Sequence, residues 1–297
     1  MKKVCSLLAA ALLGLSVPGF SQATEKAEQP LVSVIHEGVE RSESVCPYQG
    51  GLFISNFGLE GKTRAGIIYR KDGVNKTIVP PDGSLAMPTG MAVKDGYLFV
   101  CDRTRLVVYN LSDLGDVQEV PLEADDKAVN ALALAGNTLY ISVTDTGRIY
   151  TLDVSNSAKI SKQRPVKWLD IEGPNGMAAG KGVLYITTIP PDYKTVKPWH
   201  IVYRVADLSR PRAGKYLDVP GLYDGAALSD DGKTLFLSDW QTGAVTAVDV
   251  AAKKQRVIYQ EKGIGPADIA QAEGILFIPD LPHSRIIEIN MERIQKR

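Results

Sequence analysis

Apolar residues in this chain come in short runs, and the runs themselves repeat. Leu52-Phe53-Ile54, Leu98-Phe99-Val100, Leu139-Tyr140-Ile141, Leu184-Tyr185-Ile186, Leu235-Phe236-Leu237 and Leu276-Phe277-Ile278 are six copies of one pattern. Their spacing of roughly 45 residues is that of an array or a propeller. A turn and a short small-residue strand precede each copy, as in Gly176-Met177-Ala178-Ala179, and an alternating strand follows, as in Arg148-Ile149-Tyr150-Thr151-Leu152-Asp153-Val154. Gly, Asp and Asn bound the runs, and Asp231-Gly232 is a direct hairpin signal, so the strands are expected to be antiparallel and hairpin-connected.

A weaker fourth strand is expected at Lys76–Val79, Val117–Val120, Val166–Leu169, Lys215–Val219 and Arg256–Tyr259. The sixth copy stops after Arg285-Ile286-Ile287-Glu288-Ile289, while Leu31-Val32-Ser33-Val34-Ile35 stands unused at the start. Supplying the missing strand from that segment closes the ring and removes free sheet edges. The chain is therefore expected to be all-β, a six-bladed β-propeller closed by an N-terminal strand. A sandwich or a solenoid explains neither the incomplete last repeat nor the spare first strand.

Lys2 and Lys3, the apolar run Leu7 to Val17 and the small residues Ser21-Gln22-Ala23 have the form of a secretion signal over residues 1–23. The run is too short to span a bilayer, so a membrane anchor is the weaker reading. The propeller domain is then residues 24–297, located in the periplasm or outside the cell. Loss of Lys2 and Lys3 from 34 basic residues leaves 32 against 34 acidic ones, a balance that excludes nucleic acid as a partner. Cys46 and Cys101 remain, either as one bridge or as two buried small hydrophobes.

Propeller topology brings the start of every innermost strand to one mouth of the central channel. Aligned on the repeat, that position holds Glu43, Thr89, Asn130, Asn175, Asp224 and Ala267. Carboxylate and amide oxygens from Glu43, Asn130, Asn175 and Asp224 around one axis make a hard donor set of the kind calcium takes. The same residues also suit hydrogen bonding to buried backbone or channel water. His36, His200 and His283 lack zinc-ligand spacing.

The segments Glu43-Ser44-Val45, Gly173-Pro174-Asn175-Gly176-Met177 and Tyr223-Asp224-Gly225 resemble motifs of the senescence marker protein/gluconolactonase family, whose wider relatives include diisopropyl fluorophosphatase and the paraoxonases. The resemblance implies a divalent cation, calcium by preference, held by Glu43, Asn175 and Asp224, with Asn130 as a further metal- or substrate-facing amide. Glu43 lacks the following Gly-Pro usual in that family, and its substrate arginine has no counterpart near Thr89 or Asn130.

The expected chemistry is metal-assisted hydrolysis of a lactone or other ester, with Asp224 or Asp268 activating water. Asp268 also reads as a turn residue capping backbone N–H groups. An insertion in blade four, Ile189 to His200, is placed over the channel as a lid. With it come the candidate substrate contacts Tyr193, Trp199 and His200, joined by Thr89, Tyr223, Trp240 and His283. The small-molecule substrate itself is not named by the residues. A second class of function stays open: a non-catalytic module of NHL type whose top face binds a protein or saccharide partner. A strictosidine-synthase-like lyase or condensing pocket is a third.

Overall fold

The computed structural model describes residues 31–59 and 62–295; the expected secretion signal lies outside them. Six four-stranded antiparallel sheets are present, and five are built from consecutive strands. Blade one, for example, runs Ser42–Tyr48, Gly51–Asn56, Gly66–Lys71 and Val74–Val79 from the axis outwards. The sixth takes Ala270–Ala272, Ile275–Asp280 and Arg285–Asn290 from the end of the chain and Val32–Ile35 from its start. Val32 pairs with Ile289 and Ile35 with Ile286, so the N-terminal strand supplies the outer edge, and the six-bladed β-propeller is closed as the repeat predicts. No helix among the described residues is long and apolar enough to cross a membrane.

The outer strands depart most from expectation. In blade four the edge strand is Ala213–Leu217 and not Lys215–Val219, and in blade two it extends over Asp113–Pro121. Blade three also carries a short 3-10 helix, Ser157–Lys162, that anchors Ser157 and Ile160 in the core. Edge strands are half-exposed, so their polar and apolar positions carry little pattern.

The repeated triplet reads as continuous apolar sequence because the second strand of each blade is covered on both faces. Leu52 and Ile54 pack back onto Ile286 of blade six, whereas Phe53 packs forward onto Leu98 and Val100 of blade two. The same division recurs around the ring, and the buried hydrophobes fall into one cluster at each of the six blade interfaces. Full burial of each such Leu or Ile contributes roughly 1.5–3 kcal/mol.

A bulge interrupts every innermost strand near its start. The register shifts between Ser42 and Val45, Pro88 and Met91, Val129 and Leu132, Pro174 and Met177, and Tyr223 and Ala226. Blade six shows the same interruption between the Pro266–Asp280 bridge and the Ala270–Phe277 pair. The first bulged residues are Glu43, Thr89, Asn130, Asn175, Asp224 and Ala267. Bulges re-aim side chains out of the regular alternation, and here they do so at six equivalent positions of the innermost strands.

Buried hydroxyls on the second strands lock this arrangement. Ser238 Oγ accepts the Gly225 N–H at 2.7 Å in its own blade and donates to Ala267 O of the next at 2.8 Å. Ser142 does the same between Ala131 N and Asn175 O, and Thr187 donates to Asp224 O. Ser238→Ala is therefore expected to lower stability by about 2 kcal/mol, because it leaves a buried N–H and a buried carbonyl unpaired. Urea denaturation checks this, and a change below about 0.5 kcal/mol would contradict the stapling role.

Candidate active site in the central channel

Glu43, Asn130, Asn175 and Asp224 are each at most 9% exposed. Glu43 Oε2, Asn130 Oδ1, both Asn175 amide atoms and Asp224 Oδ1 have no hydrogen-bond partner in the chain. Buried polar atoms are almost always paired, so orphaned atoms at equivalent positions of four blades mark a place built for something the chain does not itself supply. Thr89 differs, because its hydroxyl donates to Val129 O of the next blade at 3.0 Å.

Asp268 is the second bulged residue of blade six. Its Oδ2 accepts the Ser44 hydroxyl at 2.8 Å, and its N–H bonds Glu43 O across the ring closure. The turn-cap reading of Asp268 is thus replaced by a side-chain bond between the last and first blades. Burial, followed by Asp224 and Asp268, pushes the Glu43 carboxyl well above the usual range. Burial and Asp268 raise Asp224 to about 8, and burial raises Asp268 itself to about 7 against the opposing Ser44 hydrogen bond. Three carboxyls that share so little water cannot all ionise without a compensating positive charge.

Among the described residues no group of three or more His, Cys, Asp or Glu side chains is placed to hold a metal ion. Any cation here must take amide oxygens along with carboxylates. The orphaned oxygens of Glu43, Asn130, Asn175 and Asp224 are a hard donor set, and they fit calcium or magnesium chemistry better than zinc or copper. Cys46 and Cys101 are free thiols, both raised by burial, Cys46 to about 12.

The blade-four insertion contains a tight turn at Asp192–Thr195. Asp192 Oδ1 accepts the N–H groups of Lys194 and Thr195, and Tyr193 between them takes a left-handed φ of 56°. Burial, then Asp224 and Glu43, push the Tyr193 hydroxyl up to about 12, while half of the residue stays exposed.

Trp199 and His200 belong to the stalk of the insertion and not to the channel. Trp199 Nε1 donates to Glu172 Oε2 at 2.8 Å, with Lys197 Nζ 5.3 Å above the ring. His200 is fully buried; Nδ1 accepts the Lys197 N–H, and Nε2 faces Glu172 Oε1 at 3.4 Å. Burial lowers its pKa, which keeps the imidazole neutral.

Tyr223 packs in the cluster between blades four and five. Trp240 lies against Gly265 and Pro282, so close that a Cβ on Gly265 would meet its ring at 2.7 Å. His283 Nδ1 sits 2.9 Å from Asp280, which also accepts Arg285 Nε at 2.7 Å. The structure therefore brings Glu43, Asp224, Asp268 and Tyr193 within electrostatic reach of one another, sets Asn130 and Asn175 at the equivalent bulge positions of blades three and four, and distributes the other candidates over the stalk, the core and the blade-five and blade-six loops. Glu172 was invisible in the repeat because it precedes Gly173 in a connection of irregular length.

Comparison with known proteins bears on the fold. The chain resembles several solved structures. A gluconolactonase from Xanthomonas campestris superposes with a TM-score of 0.64 at 19% identity, covering 87% of this chain and 89% of that one. Virginiamycin B lyase from Staphylococcus aureus gives 0.59 at 13% identity over 87% and 98%. A chain of a nidogen/laminin complex gives 0.62 at 14% identity over 85% and 90%. No family model and no curated protein sequence matches. Two of these neighbours are enzymes and the third comes from a protein complex, so the shared architecture alone does not choose between catalysis and binding.

Proposed function

We propose that the protein is an exported, divalent-cation-dependent hydrolase of a lactone or other ester, with calcium as the preferred ion. The observation that carries this reading is the set of buried, unpartnered oxygens that Glu43, Asn130, Asn175 and Asp224 present from four blades. These side chains would hold the ion, which when bound polarises a substrate carbonyl as a Lewis acid.

The chain's own residues do the remaining work. Asp268 accepts a proton from the attacking water. The Ser44 hydroxyl occupies Oδ2 and orients the carboxyl, leaving Oδ1 as the proton acceptor. The proton then passes to the leaving alkoxide, so ester and water give acid and alcohol. Tyr193 covers the mouth and limits the entry of bulk water.

Calcium titration by calorimetry, together with a lactone and aryl-ester panel in millimolar calcium, tests this reading. Saturable calcium binding and hydrolysis are expected. Glu43→Gln and Asp224→Asn should abolish both, whereas Asp268→Asn should cut kcat by about 10²–10⁴ and leave calcium binding in place. Absence of hydrolysis across the calcium-supplied panel, or activity that survives both ring substitutions, would remove the proposal and favour a binding module.

A further inference from the structure

The repeat distinguishes positions the propeller requires from positions it leaves free, and around blades one and two three free positions carry tyrosine. The cross-strand partner of the recurring aromatic is Tyr69 in blade one but Val108, Thr151, Arg204, Ala247 and Glu288 in the others. The residue opening the second strand is Tyr97 in blade two, where Gly51, Thr138, Val183, Thr234 and Ile275 stand elsewhere. Tyr48 ends the first innermost strand opposite Gly51; its counterparts include Lys94, Ala135, Gly180 and Ala272. The fold does not ask for an aromatic ring at any of these places.

All three tyrosines line one cleft of about 620 Å³ between blades one and two, near the face opposite the channel mouth. Phe53 forms its back wall, with ring centroids 5.8 Å from Tyr48 and 4.8 Å from Tyr69. The rings are held in place: Tyr69 Oη donates to Tyr48 O at 2.8 Å, and Tyr48 Oη accepts Gln49 Nε2 at 3.0 Å. The rim is polar and carries both signs of charge, with Gln49, Lys76, Asp95, Asn110 and Ser112.

We infer that this cleft is a saccharide site that takes a pyranose ring. Tyrosine faces offer flat apolar surfaces on which sugar C–H groups stack, while amide, carboxylate and hydroxyl side chains pair with neighbouring sugar hydroxyls. A purely aliphatic ligand would strand the polar rim, and a strongly charged one would meet Asp95 and Lys76 together. The volume is that of a small-molecule pocket and suits a disaccharide. This site is separate from the channel and does not depend on hydrolysis there.

Cellobiose and N,N′-diacetylchitobiose, titrated into the full chain and followed by saturation-transfer NMR and calorimetry, test the inference. Saturable binding of at least one of them is expected. Tyr69→Ala and Tyr97→Ala, each confirmed folded by circular dichroism, should weaken it at least about tenfold, and Tyr97→Phe should stay within about twofold because the ring face makes the contact. Failure of both disaccharides to saturate at tens of millimolar, or binding that persists in both folded alanine variants, would overturn the assignment.

Discussion

Gly176→Ala is expected to destabilise the propeller by about 3 kcal/mol, seen as a lower urea midpoint and a loss of several degrees in Tm. Gly176 is the second bulged residue of blade four, and a Cβ there would lie 2.4 Å from Asp224 O and 2.7 Å from Ala226 N of blade five. Those atoms are backbone in the neighbouring innermost strand, so neither can swing aside. Gly90 and Gly225 meet the next blade in the same way, at 2.7 Å from Asn130 O and 2.5 Å from Ile269 N. Gly214, in the edge strand of blade four, meets only Arg204 O, at 3.9 Å, and Gly214→Ala should change stability by less than about 1 kcal/mol. Equal effects at the two positions would show that close approach of the inner strands does not govern the ring.

Without a bound cation, stability should fall as pH rises from about 4 to about 8. The carboxyls of Asp224 and Asp268 titrate near 8 and 7 in the folded chain, above their ordinary value of 3.8, and Glu43 is also raised. Across that window the unfolded chain has lost protons that the folded chain retains, so the slope of unfolding free energy with pH is negative. The stabilisation is complete below about pH 4, is lost progressively as pH passes through the folded values, and levels off above them. Urea denaturation in chelator from pH 4 to 9 measures it, and Glu43→Gln should flatten the curve and raise stability at pH 9. Calcium favours the ionised ring, so at a hundred times its Kd it should restore about 2.7 kcal/mol at the alkaline end. A chelated protein equally stable at pH 5 and pH 8 would show that the three carboxyls are not buried together.

The repeat made the blades legible because each second strand is covered twice and must be apolar along its length. It also marked the bulge position of the innermost strands, which falls nine residues before the repeated triplet in five blades and eleven before it in blade five, where the Ser229-Asp230-Asp231-Gly232 turn is longer. The hydroxyl staples carried a readable signal as well: Ser55, Ser142, Thr187 and Ser238 all follow the triplet directly. Ser55 bonds Ser44 of its own blade, whereas the bonds of Ser142, Thr187 and Ser238 to the adjacent blade are a property of three dimensions. The aromatic candidates were harder to place, because a loop's composition does not fix its path. Trp199 and His200 bond Glu172, a residue seventeen positions before the Ile189 at which the insertion starts, whereas the hydroxyl of Tyr193, beside the turn tied by Asp192, feels the charges of Asp224 and Glu43.

The join between Val32–Ile35 and Arg285–Asn290 sets a timetable for assembly. During synthesis the first strand must wait, unpaired, until nearly every other residue has been added, and only then does the circle gain its last hydrogen bonds. A ribosome that stalls before Arg285 leaves an open crescent with two raw edges, which makes premature termination a route to aggregation and gives protein quality control a clear mark of an unfinished molecule.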